Sequence, residues 1–538
     1  MKWHIEKPKN ERIIGYAPGT KEREELKKKL EELSSKTEEI PLIVGGKKVK
    51  SGQTREIRAP HDHSKLLAIA HLAGEAEVEE AIERALDAWQ RWSDLDWYHR
   101  VAVFMRAAEL LSGPYRLRAI AAIMLNQSKT PYEAEIDLAE LVDFWRFNAY
   151  YAQFLYEQQP DQFPGEINRL DWRPLEGFVA AIPPFNFFSI AGNLPTAPAI
   201  VGNVAVWRPC TDVIFSNYVI MEVLMEAGLP PGVVNFVPSP HASFDAVFRH
   251  KDFAGLHFTG SYETFVKLWK RIAENLERYR NFPRIVGETG GKDFIVVHPS
   301  ADVEVSVTAI IRGAFEYQGQ KCSAASRLFV PKSLWNGALK ARLLSEMKRV
   351  RYGPIEDFTV FGGAVINRAA FEKIISYIEY ARSRPEEYEI IYGGGYSSEK
   401  GWFIEPTIIV TNNPRGKLMV EEIFGPVLTV YVYDDDKYSE VLGVVDSAAP
   451  YGLTGSIIAN DRYAIIEAER KLRYAAGNFY INDKPTGAIV GRQPFGGTRW
   501  SGTNDKAGFW LNLVKWLNPR NIKENLNPPR DWRREYMG

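Results

Sequence analysis

Apolar runs of strand length, alternating with amphipathic helical stretches, predict an α/β protein: two doubly wound, Rossmann-like parallel-sheet domains plus a small β-strand assembly element. Three observations carry this. From residue 177 to 288, strand-like runs such as 177–182, 203–208, 233–237 and 255–258 are each followed by a helical stretch. A second strand–helix set begins at Phe294-Ile295-Val296-Val297. Between the first helices and the first set, residues 166–174 alternate polar and apolar, as a strand with one wet face does.

The 538 residues are enough for two or three domains, and a 45% hydrophobic, 25% charged composition suits an ordinary globular chain. A net charge of −1 argues against a nucleic-acid partner. No uncharged apolar run is long enough to span a bilayer, and Met1-Lys2-Trp3-His4-Ile5-Glu6-Lys7 lacks the apolar core of a secretory signal. The two cysteines, Cys210 and Cys322, stand in unrelated contexts and make no disulfide framework. A cytoplasmic protein is expected, or a mitochondrial-matrix one if the source is eukaryotic.

In chain order, Thr20 is a plausible cap for a helix whose stripe is Leu26, Leu30 and Leu33. Short strands are expected at 48–50 and 54–57. His61-Asp62-His63 has no further ligand at zinc-like spacing and reads as a surface turn. Helical patterns run over 75–92, 98–111 and 132–155. After the 177–182 strand and the turn Pro183-Pro184-Phe185-Asn186-Phe187, helices are expected at 195–201, 213–227 and 262–276. The second set has strands at 294–297, 326–330, 389–392 and 426–432, with helices over 301–315 and 369–383. A last strand is expected at 512–517, in a tail that needs something to pair with. The chain divides into 1–150 with 177–287, with an N-terminal helical extension over 1–40; 288–490; and 151–176 with 496–538, the strands and tail outside the two sheets.

Chemistry gathers on a few short pieces. Gln318-Gly319-Gln320-Lys321-Cys322-Ser323 surrounds a thiol with polar neighbours rather than an apolar run. Lys321 beside it is expected to lower the thiol pKa, and Gly319 to permit the sharp turn that exposes sulfur. Asn186 is a neutral donor at a strand's end, Glu288 an acid among glycines, and Glu422-Ile423-Phe424 an acid and an aromatic before a strand. Thr259-Gly260-Ser261 closes a strand and opens a helix, where free N–H groups suit a phosphate. Thr454-Gly455-Ser456 has the same spelling but is followed by a strand pattern. There is no Gly-x-Gly-x-x-Gly, and Gly287-Glu288-Thr289-Gly290-Gly291-Lys292 lacks Walker spacing. No metal site is expected.

The order and spacing of these pieces resemble the aldehyde dehydrogenase superfamily, closest to its 1-pyrroline-5-carboxylate dehydrogenase branch, across about 41–516. Segments 175–182, 315–324 and 476–484 and Gln493-Pro494-Phe495-Gly496-Gly497 carry the likeness. The resemblance implies that Cys322 attacks the aldehyde carbon. Asn186 and the Cys322 backbone N–H would hold the oxyanion, and Glu288 would activate the water that hydrolyses the thioester. It puts Ser261 at the pyrophosphate, Glu422 at the nicotinamide ribose with Phe424 beside the ring, and Pro184 and Phe185 along the cofactor. Arg208, where relatives carry Lys, would meet the adenosine ribose. NAD is the expected cofactor, with NADP as the alternative because Arg also suits a 2′-phosphate.

The branch further implies a substrate α-carboxylate on Lys321, Ser323 and the turn at Gly487-Ala488. Glu140 would face the amino group, and Phe187 and Phe495 would flank the aliphatic chain. Ala488 departs from the branch's hydroxyl, and Cys210 is structural. The expected activity is NAD-dependent oxidation of L-glutamate γ-semialdehyde to L-glutamate in proline catabolism. The chain would form a homodimer or higher homo-oligomer through the 166–173 strand, and any proline dehydrogenase partner would be a separate chain. The rivals are another aldehyde, a catalytically silent protein on the same fold, and a cysteine hydrolase, the last weakened by the lack of a histidine in a recognisable catalytic context.

Overall fold

In the computed structural model, residues 4–538 are described. Two seven-stranded sheets organise them. The first runs Arg284–Glu288, Phe253–Thr259, Phe178–Ile182, Val204–Trp207, Val234–Phe236, Leu42–Val44, Lys47–Val49. Its first five strands are parallel and the last two antiparallel. Strand order reverses at Phe178–Ile182: the chain winds outward to Val234–Phe236, then returns to the other side with Phe253–Thr259. A crevice at the carboxyl ends of strands opens at such a reversal. Here those ends lead into the turn holding Pro184, Phe185 and Asn186 and into Gly260-Ser261.

The second sheet runs Tyr388–Tyr392, Thr407–Thr411, Val427–Tyr433, Ala325–Pro331, Asp293–Val297, Thr454–Ile458, Asn478–Ile481, and only its first pair is antiparallel. The look-alike Thr454-Gly455-Ser456 lies inside one of these strands. A three-stranded sheet (Glu38–Ile40, Asp62–His71, Thr54–Ala59) and three two-stranded pairs complete the framework. No helix of the described residues is long and apolar enough to cross a membrane.

Thr20 caps helix Lys21–Ser34, which buries Leu26, Leu30 and Leu33. The helices Glu75–Asp94, Trp97–Ser112 and Pro131–Tyr156 lie where their periodicity put them. Other expectations are corrected. Helix Arg116–Gln127 was not anticipated: ten of its residues are buried, so it has no polar face to show in the sequence. The helix expected at 195–201 starts at Phe188 and carries Pro195 and Pro198 inside it. Its N-terminus is capped from outside, by Asp137 accepting from the Phe188 and Ser189 N–H groups at 2.9 Å each. The Leu194 carbonyl, which Pro198 cannot serve, takes the His257 ring nitrogen at 2.8 Å instead.

The tail is corrected as well. Residues Trp510–Val514 are a helix packed on Pro131–Tyr156, and the strand follows at Leu517–Asn525. That strand pairs antiparallel with Glu166–Pro174, from Leu517 opposite Pro174 to Asn525 opposite Glu166. Finally, His61 is no surface residue. It is buried with its ring 3.4 Å from Glu356, while His63 rests on Trp402.

Candidate active site

The cysteine loop leaves helix Val303–Phe315 through three consecutive residues with positive φ: Tyr317 (48°), Gln318 (53°) and Gly319 (65°). A side chain at Gly319 would collide with the Gly425 carbonyl. The strain at the two non-glycine positions is held by hydrogen bonds: Gln318 donates to the carbonyls of Ser128 (3.1 Å) and Ala364 (2.7 Å), and Gln320 accepts from the Ile366 N–H (2.9 Å). The loop is thus pinned to both lobes and presents Cys322 half-buried beside a cavity of about 400 Å³.

Asn186 is buried and donates one amide N–H to the Gln320 carbonyl at 3.1 Å. This leaves the second amide proton for another acceptor. Glu288, the last residue of its strand, lines the cavity with Cys322. Burial, with Asp505 and Glu140 nearby and only Lys506 opposing, pushes its carboxyl up to about 8.

Lys321 overturns the expectation of an activated thiol. Its ammonium is buried between Glu133 (3.0 Å) and Glu316 (3.2 Å), which overcome the cost of burial and raise its pKa. Its charge is spent there. Burial, reinforced by Glu288, Asp293, Glu422 and Glu140, instead pushes the Cys322 thiol well above its ordinary value. The same pairing leaves Lys321 a poor anchor for a carboxylate, although it still lines the cavity.

Ser323, Thr486, Gly487 and Ala488 line the same cavity. The Ser323 and Thr486 hydroxyls lie 2.8 Å apart, so one of them supplies a proton to the other. Lys484, which the sequence reasoning missed, lines the cavity beside this turn, donates to the Thr486 carbonyl at 2.9 Å and lies 3.8 Å from Glu316. A cation two residues before the turn was the signal. Glu140 is no exposed acid: it faces the cavity, accepts from the Ser189 hydroxyl at 2.6 Å and is pushed by burial to about 7. Phe187 and Phe495 line the same space. So does His257, also unanticipated. Burial drops it to about 4, which keeps it neutral and unsuited to pair with a thiolate.

The residues expected at the cofactor do not line this cavity. Ser261 caps helix Tyr262–Ala273, its hydroxyl accepting from the Thr264 N–H at 3.3 Å. Arg208, at the end of Val204–Trp207, is buried and donates to the Ser239 carbonyl at 2.9 Å. Glu422 lies over Gly290, where any side chain would strike its carboxylate, and accepts from the Gly291 N–H at 2.9 Å. Phe424, at φ 61°, meets Phe185 edge-on, with ring centroids 5.8 Å apart, and Pro184 precedes it in the same turn. Cys210 is half-buried, and desolvation pushes it up to about 12, an inert thiol.

A hydroxyl-capped helix end, a carboxylate over glycines and a paired aromatic fit a dinucleotide, and a thiol with an amide donor and an acid fits acyl chemistry on an aldehyde. Residues 48–521 match the Aldehyde dehydrogenase family, and the chain belongs to it. Among its relatives, the mitochondrial delta-1-pyrroline-5-carboxylate dehydrogenase of Dictyostelium discoideum is 48% identical, covering 99% of this chain and 96% of its own. The delta-pyrroline-5-carboxylate dehydrogenase of Mycobacterium tuberculosis, solved with NAD bound, superposes with a TM-score of 0.96 at 46% identity, over 100% of this chain and 99% of that one. The 1-pyrroline-5-carboxylate dehydrogenase from Thermus, also solved with NAD, gives 0.90 at 32% identity, over 97% and 99%.

Proposed function

We propose that the protein oxidises L-glutamate γ-semialdehyde, the open form of 1-pyrroline-5-carboxylate, to L-glutamate with NAD, as a step of proline catabolism. The observation that carries this reading is the set of groups lining one cavity: the Cys322 thiol and the Glu288 carboxyl, with the Ser323–Thr486 hydroxyls, the Gly487-Ala488 turn, Lys484 and the Glu140 carboxyl. An α-amino acid with an aldehyde at its far end matches that set of groups. The names of the relatives point the same way.

In this reading the Cys322 thiol loses its proton to solvent and the sulfur adds to the aldehyde carbon, whose oxygen takes the negative charge. The free proton of the Asn186 amide and the Cys322 backbone N–H stabilise that oxygen, and one such donor is typically worth about 3 kcal/mol. Arg208, Ser261, Glu422, Phe424, Pro184 and Phe185 would hold NAD, which would supply the hydride acceptor that oxidation of the adduct to a thioester requires. Glu288, as carboxylate, then takes a proton from the water that attacks this thioester, releasing the acid and restoring the thiol. Phe187 and Phe495 exclude bulk water from the aliphatic chain. Lys321 acts on Glu133 and Glu316, holding the loop, while Ser323 and the Thr486–Ala488 turn take the α-carboxylate.

The division of labour belongs to the same proposal: cofactor on 1–150 and 177–287, chemistry on 288–490, and self-assembly through 151–176 and 496–538. The ribbon of Glu166–Pro174 with Leu517–Asn525 supports the last part, since no residue of the first strand is buried and six of the nine in the second are exposed. Steady-state kinetics with each nicotinamide test the whole. At least a tenfold preference in kcat/KM for glutamate semialdehyde over short aliphatic aldehydes is expected, about 1.4 kcal/mol in transition-state binding. Equal values would leave only a general aldehyde dehydrogenase.

A further inference from the structure

Ahead of helix Lys21–Ser34, residues 4–17 form neither helix nor strand, yet this strap supplies Asn10, Glu11 and Ile13 to the wall of the aldehyde cavity. It lies before the stretch 48–521 that carries the family match. The strap is fastened along its length. The Ile5 N–H donates to Gln153 at 2.6 Å, the Ile14 N–H to Glu135 at 3.0 Å and the Tyr16 hydroxyl to Glu135 at 2.8 Å. Glu11 sits between Arg116 (2.8 Å) and Arg146 (2.6 Å).

Asn10 is the node where this strap meets the cavity mouth. Its amide donates to Asp143 on helix Pro131–Tyr156 and to the Val490 carbonyl, each at 2.8 Å, while its oxygen accepts from Arg492 at 3.0 Å. Asp143 also accepts from the Glu11 N–H at 2.7 Å. One small side chain therefore bridges a helix wall to the loop after Gly487-Ala488, at a rim where Ile13 and Arg492 are exposed. The cavity-lining acids of the strap and rim are already partnered: Glu11 has two arginines, and Asp143 has Asn10 and a backbone N–H. The rim is accordingly a wall rather than a second ion-binding site.

We propose that the strap is a specificity element: Asn10, tied to Asp143, Val490 and Arg492, together with Ile13, closes the solvent-facing end of the cavity and limits the length of aldehyde that can reach Cys322. This rests on the reading of the cavity as the aldehyde site. With five separate anchors the strap acts as a fixed stop, so its effect falls on which aldehyde binds and not on the chemical step.

The test measures kcat and KM of the full chain with glutamate semialdehyde, propanal and octanal, for the wild type, Asn10→Ala and Ile13→Ala, with thermal melting of each. Both variants are expected to lower the KM for octanal at least fivefold while kcat, and the KM for propanal, stay within twofold. The proposal is overturned if the octanal-to-propanal ratio of kcat/KM stays within twofold of wild type, or if all three aldehydes lose kcat in parallel, as a merely structural role would produce. Should Asn10→Ala fail to fold, Ile13→Ala decides alone, because that side chain is 42% exposed and carries no polar atom. Failure of the underlying functional reading is distinguishable, since it appears as wild-type protein that does not turn over glutamate semialdehyde with NAD.

Discussion

Replacing Glu288 with Gln separates the two halves of the reaction. Burial first, then the charges of Asp505 and Glu140, with Lys506 opposing, place the Glu288 carboxyl at about 8. A general base works only as the carboxylate, so the active fraction is roughly a tenth at pH 7 and roughly nine tenths at pH 9. Thioester hydrolysis should therefore rise about tenfold between those values and level off above them. In Glu288→Gln this limb should vanish and hydrolysis should slow by about 10²- to 10⁴-fold, the usual worth of a positioned base. The first hydride transfer does not use this carboxyl and should persist. The assay is rapid mixing with aldehyde and NAD followed by an acid quench, with mass spectrometry of the acyl group on Cys322 and the NADH burst read in parallel. An acyl-enzyme that decays in Glu288→Gln along the same pH limb as in wild type would refute the reasoning. So would a lost burst with an unchanged slow phase.

Three further outcomes are expected. Lys321→Met strands Glu133 in the interior, while Glu316 keeps Arg312 at 2.7 Å, and should destabilise the protein by about 3–5 kcal/mol in urea unfolding, while Cys322 alkylation at pH 8 changes less than about threefold; a much larger fall in alkylation would show that the ammonium does activate the sulfur. Asn186→Ala should slow NADH formation by about 10²- to 10³-fold and leave the melting temperature near wild type, a retained rate counting against its role at the oxyanion. Ser323→Ala should raise the KM for glutamate semialdehyde roughly 10- to 150-fold, from about 1.5–3 kcal/mol for a hydrogen bond to a charged group, and leave that for propanal unchanged. A parallel rise for both aldehydes would place Ser323 elsewhere.

Much of the site was legible because its pieces are local. Cys322 with Gly319, the turn at Asn186, Glu288 among glycines and Ser261 at a helix start each declare themselves within a few residues, and the order of those pieces carried the family resemblance. The elements that misled did so for stated reasons. Helix Arg116–Gln127 is buried on all sides and has no stripe. Helix Phe188–Ile200 draws its cap from Asp137, some fifty positions earlier, where no local signal could announce it. Lys484 and His257 became cavity residues only through strands brought together from distant parts of the chain.

The amino-acid sequence alone settled the alternating strand–helix architecture and the residue types available for thiol chemistry, since periodicity and short-range spacing act over a turn or a strand. Tertiary structure decided the charge state of those residues. Lys321 is adjacent to Cys322 along the chain, but its ammonium points to Glu133 and Glu316, and the sulfur's electrostatic neighbours are acids from four other segments. Proximity in sequence says nothing about where a four-carbon side chain ends, whereas Coulomb's law and burial depend only on that.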